Sequence, residues 1–188
     1  VGLGTHLRGG LTVWQRATSS GEALQQERVA FDRLERDLAN AIVFDAREDA
    51  YGKGRGQLPR PKFWASELAF FTVSAARRRQ PSTVQFVTYA CEELDGTPGL
   101  WRTSQSVGAA RARNPAPQAE RLLPDCEDLS FQYAYRPGER ERQELVWNAT
   151  WPDDPLKLPR LVTVSLQVAG RERRELCAVP LGVFGQPE

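Results

Sequence analysis

The sequence predicts an α+β fold, with a long N-terminal amphipathic helix packed on antiparallel β-sheet. Two observations carry this. "ALQQERVAFDRLERDLANAIVF", Ala23 to Phe44, is the longest strongly periodic segment of the chain. After it come about seven short strand-like runs separated by hairpin-type turns. A helix followed by a run of strands separates the two element types, and sequential hairpins favour antiparallel pairing.

The helix comes first. At about 100° per residue, Ala23, Leu24, Ala30, Phe31, Leu34, Leu38, Ala41 and Ile42 fall on one arc. Leu24, Phe31, Leu34, Leu38 and Ile42 are therefore expected against the sheet. Val29, Arg33, Arg36 and Asn40 fall on the opposite side. Gly and Pro are absent from Glu22 to Arg47, and Ala, Leu, Glu, Gln and Arg dominate. These residues lose little entropy in a helix. Ser19 and Glu22 have the spacing of a capping box, which would start the helix near Ser20. Upstream, "VGLGTHLRGGLTVWQRA" is weakly apolar and rich in Gly. Residues 1–20 are read as a flexible remnant or the start of the helix, and 21–188 as one globular domain. The absence of Met suggests a processed fragment.

The texture then changes. "YGKGRGQLPRPK", Tyr51 to Lys62, reads as a loop. Glu67–Val73, Thr83–Cys91 and Gly99–Ser104 read as strands, the first two joined by the basic turn "SAARRRQPS". Ser106–Glu120 reads as a long polar loop. In "DLSFQYAYR", Leu129, Phe131, Tyr133 and Tyr135 alternate. "LVWNAT" returns after the charged turn "RPGERERQE", and Pro-rich "WPDDPLKLP" follows. In "RLVTVSLQVAG", Val162, Val164, Leu166 and Val168 alternate. "RERR" reads as the turn into "ELCAVPL".

Composition narrows the function. With 25 Lys and Arg against 24 Asp and Glu, the net charge is +1, which exerts no global pull toward nucleic acid or membrane. The one histidine, His6, lies in the loose N-terminal segment, so imidazole catalysis and imidazole–thiolate metal sites have no candidate. Cys91, Cys126 and Cys177 are too far apart for a zinc motif. The carboxylates Glu92, Glu93 and Asp95, and Asp153 and Asp154, lie in turn-like segments and read as solvated. The arginine clusters Arg77–Arg79, Arg111 with Arg113, and Arg171 with Arg173 and Arg174 also sit at expected turns. A groove for single-stranded nucleic acid is their alternative reading. No cofactor is expected, and no enzyme.

"LQQERVAFDRLERDLANA", with its Arg36-Asp37-Leu38 step, resembles the helix of J-type minor pseudopilins of bacterial type II secretion systems. The later order is similar too: "ELAFFTV", "VQFVTYAC", "LWRTS", "RLLPDCEDLSFQYAYR", a strand bearing Trp147, "LPRLVTVSLQV" and "LCAVPL". The resemblance spans roughly Leu24 to Leu181 and implies a pseudopilin-like fold. It implies a structural role at the tip of a periplasmic filament. There the helix packs beside those of I-type and K-type partners to start assembly, and the opposite face, Val29, Arg33, Arg36 and Asn40, would make the contact. The family's N-terminal leader and apolar segment would have been removed; with them, the protein is anchored in the inner membrane. A type IV pilus minor pilin and a periplasmic ligand- or nucleic-acid-binding module are the alternatives. An oxidising periplasm would favour a bridge between Cys91, at a strand end, and Cys126, at a strand start, leaving Cys177 free in the core. Three reduced core cysteines are the other reading.

Overall fold

A computed structural model of the chain describes residues 3–43, 59–74, 82–108, 117–135, 145–151 and 158–179, with 3–20 described by their backbone only. Helix α1 runs Leu3–Ala39. Among the described residues ten strands follow: β1 Ala41–Ile42, β2 Lys62–Phe63, β3 Leu68–Val73, β4 Val84–Leu94, β5 Thr97–Ser106, β6 Gln118–Leu123, β7 Cys126–Tyr135, β8 Val146–Asn148, β9 Leu161–Val168 and β10 Arg171–Ala178. The fold is α+β, one helix on two antiparallel sheets. The first sheet has the order β1-β3-β4-β5-β6, with β2 beside β3; the second has the order β10-β9-β7-β8.

The helix does not begin at Ser20. It passes unbroken through Thr18–Ser19–Ser20–Gly21, so the Ser19–Glu22 capping box has no terminus to cap. Gly in a helix costs only roughly 0.5–1 kcal/mol relative to Ala, and no proline interrupts this segment. At the other end Asn40 closes the helix. Its side-chain Nδ2 donates to the Arg36 carbonyl at 2.7 Å. Its backbone carbonyl then accepts the Val73 N–H at 3.0 Å, which hands the chain to the first sheet. Ile42 is consequently a strand residue, half-buried and paired with Phe71, and not the last helical core position.

Leu24 also departs from expectation. Phe31, Leu34 and Leu38 are 3% exposed or less, but Leu24 is 48% exposed. The buried face of α1 is centred on Leu34 and extends toward Asp37, so Leu24, at the far edge of the apolar arc, is left outside.

Two tight hairpins shape the sheets. Asp95 (φ 51°) and Gly96 (φ 74°) turn β4 into β5. Ala169 (φ 49°) and Gly170 (φ 70°) turn β9 into β10. Two left-handed residues are all such a turn needs. Arg171–Arg174 are therefore strand residues, not a turn, and so are Glu92 and Glu93. Gln118–Glu120, expected in a loop, belong to edge strand β6. Four of its six residues are exposed, so it shows no apolar alternation to read. It is held by pairing with β5, and Gly99 permits the close approach: a Cβ there would lie 2.5 Å from the Leu123 carbonyl oxygen.

The core lies between the helix and the two sheets. Ala30, Phe31, Leu34 and Leu38 of α1 meet Phe70, Val87, Tyr89 and Leu123 of the first sheet. They also meet Leu129, Phe131, Val162, Val164, Leu166 and Cys177 of the second. Full burial of each large apolar side chain contributes about 1.5–3 kcal/mol. The segment after β2 joins the sheets. The Phe131 N–H donates to the Ala65 carbonyl at 2.8 Å, and the Trp151 N–H to the Phe63 carbonyl at 2.9 Å. The Tyr133 hydroxyl donates to the Trp64 carbonyl at 2.7 Å. Cys91 and Cys126 form a disulfide with Cα atoms 5.7 Å apart. They lie in different sheets, on β4 and β7, because the chain leaves the first sheet at Pro124–Asp125 (Asp125 φ 55°). The bridge therefore joins sheet to sheet.

Candidate functional site

The exposed side of α1 carries the unusual surface. Val29 is 57% exposed among charged neighbours. With Leu24, Gln25, Arg28 and Asp32 it lines a shallow depression along the helix. Leu24 and Val29 lie about 140° apart round the axis and border the depression from its two sides, with Arg28 and Asp32 of opposite charge between them. Of the other expected contact residues, Arg36 and Asn40 are exposed, with the Asn40 amide engaged in closing the helix. Arg33 is half-buried. Its Nε is shielded from solvent and has no hydrogen-bond partner among the described residues.

Beneath the helix lies a polar cluster that periodicity alone did not reveal. Asp37 Oδ2 accepts from the Tyr89 hydroxyl at 2.7 Å and from Arg102 Nε at 2.6 Å. The Asp37 backbone carbonyl accepts from Thr72 Oγ1 at 2.8 Å. One helical residue thus reaches β3, β4 and β5. All four residues are buried. Burial first, then the charge of Asp37, holds the Tyr89 hydroxyl well above the usual tyrosine pKa, so it stays a donor. The signal was present as an aspartate at an interior helical position, but its partners are 52 and 65 residues away.

The second sheet also reaches the helix by charge. Arg171 Nη2 pairs with buried Glu27 at 3.0 Å. Arg173 stacks its guanidinium 4.9 Å from the Phe31 ring centre and pairs with Glu175. Arg174 pairs with Glu172 and donates to Ser165 Oγ. Each arginine of this cluster is therefore paired within the fold. Arg77–Arg79, Arg111, Arg113, Asp153 and Asp154 lie outside the described residues. Glu92, Glu93 and Asp95 are exposed around the β4–β5 hairpin. Cys177 is a buried free thiol whose pKa is pushed up to about 12, by burial first and then by the carboxylates of Glu35 and Glu175. It is consequently a poor nucleophile.

Among the described residues no helix is long and apolar enough to cross a membrane. No curated protein matches the chain. The family model described as type II secretion system (T2SS), protein J, matches residues 6–179.

Proposed function

The chain belongs to the type II secretion system protein J family, and on that premise we propose that the outward face of α1, centred near Val29, packs against neighbouring pseudopilin helices at the tip of the pseudopilus. Membership makes the protein a minor pseudopilin, a structural component of the secretion machinery in the cell envelope. It also sets aside the type IV pilin alternative. The finer reading is that the neighbours are the I-type and K-type minor pseudopilins, that their joining initiates the filament, and that the domain faces the periplasm from an inner-membrane anchor. A disulfide between the sheets suits an oxidising compartment. The observation that carries the reading is Val29, 57% exposed on an otherwise polar helical face. Val29, Arg33, Arg36 and Asn40 remain the proposed contact set.

The test mixes the purified protein with its I-type and K-type partners and follows complex formation by gel filtration. Val29→Glu, and Arg33→Glu with Arg36→Glu, should weaken the complex while circular dichroism stays unchanged. A complex of undiminished yield from folded variants refutes this face.

A further inference from the structure

Helical positions advance by about 100° per residue. Taken from Leu34, the large apolar side chains Leu24, Phe31, Leu34 and Leu38 centre at roughly 45° round the axis. The buried helical residues are Glu27, Ala30, Phe31, Leu34, Asp37 and Leu38. They centre within about 5° of Leu34 on the same scale. The helix therefore sits rolled by roughly 40° from the orientation that its large apolar side chains alone would choose. The roll has one polar beneficiary and one apolar casualty. Asp37 goes under, where a single carboxylate oxygen takes the donors of Tyr89 and Arg102. Leu24 comes out to 48% exposure.

The direction of the roll has a physical cause. Apolar contact is non-directional, so an arc that includes Leu24 can bury itself over a range of rotations. Hydrogen bonds of 2.6 and 2.7 Å to side chains rooted in β4 and β5 cannot. Rolling toward Leu24 would lift Asp37 away and leave the buried Arg102 guanidinium without its carboxylate. Thr72, bonded to the carbonyl of the same residue, fixes the height of the helix on β3. Buried Glu27, near the centre of the face, meets Arg171 on the other sheet and tolerates the same rotation.

We propose that Asp37 is a positioning residue: by holding Tyr89 and Arg102 it sets the rotational phase of α1 and turns Leu24 outward. The consequence for assembly rests on the reading of the outward face of α1 as a partner contact. The roll itself does not.

The experiment places a reporter, Leu24→Cys, in the native chain and in a variant with an apolar cluster, Asp37→Leu, Tyr89→Phe and Arg102→Leu. The rate of native-state maleimide labelling is read, with buried Cys177 in the unsubstituted chain as the background. Without the cluster, labelling at position 24 should slow by about tenfold as the helix rolls and shields the thiol. A folded variant that labels at the native rate overturns the proposal. Should that variant fail to fold, Asp37→Glu decides. Its carboxylate keeps the charge but reaches one methylene further, so the helix can roll part of the way and labelling should fall to an intermediate rate. A rate equal to the native one overturns the proposal. Complex formation is measured separately: labelling that shifts while pseudopilin binding does not leaves the roll standing and removes the assembly face.

Discussion

Removing the bridge between the sheets should cost the protein a large share of its stability. The perturbation is Cys91→Ala with Cys126→Ala, which leaves Cys177 in place. The disulfide closes a loop of 35 residues. By chain entropy, cross-linking a loop of that length removes about 4 kcal/mol of unfolded-state freedom at 25 °C. Both cysteines are partly buried against the core, so truncation to Ala removes little further contact. Domains are typically stable by about 5–15 kcal/mol, so the loss is a quarter or more of the total. With a urea slope of about 2 kcal/mol per molar, the unfolding midpoint should fall by about 2 M. The slope should also rise, since the unbridged unfolded chain is more expanded. Urea titration by circular dichroism reads both quantities. Thiol counting in denatured, unreduced protein checks the premise: one thiol is expected, that of Cys177. Three thiols, or a midpoint that moves by less than about 0.5 M, would refute the reasoning.

Two further outcomes follow from the helix and the core. Leu38→Ala should destabilise by about 2–5 kcal/mol, as truncations at fully buried sites do, whereas Leu24→Ala, at a half-exposed site, should stay within about 0.5 kcal/mol; equal losses in urea titrations would contradict the helix orientation. Stability should be flat around neutrality and fall above about pH 9, because burial raises Cys177 from 9.0 to about 12 and lifts Tyr89 and Tyr133 above their ordinary 10.0. In that range the unfolded state has lost protons that the folded state keeps, so each group's contribution is whole below its unfolded pKa and lost as pH rises toward its folded one. The slope should reach about 1.4 kcal/mol per pH unit for each titrating group, and a stability that rose between pH 9 and 11 would sink this account.

Local patterns in the chain fixed much of the architecture. The 3.6-residue period marks Phe31, Leu34 and Leu38, and the two-residue period marks Val162, Val164 and Leu166, because a regular element facing one core repeats its apolar residues at its own pitch. The Asp-Gly pair at positions 95 and 96 specifies its own turn. Patterns of this kind, with the arrangement of segments, were enough to identify a pseudopilin of the J family. What local pattern could not supply is what depends on residues far apart. Edge strand β6 has no alternation of its own and exists because β5 offers it hydrogen bonds. Cys91 and Cys126 belong to different sheets because the backbone turns at Asp125, not because of their spacing. The exposure of Leu24 was misread from its period, since hydrophobicity does not record that Asp37 must meet Arg102, 65 residues along the chain. Periodicity proposes a face for a helix. Directional bonds to partners brought near only by the tertiary fold decide how far round that face is turned.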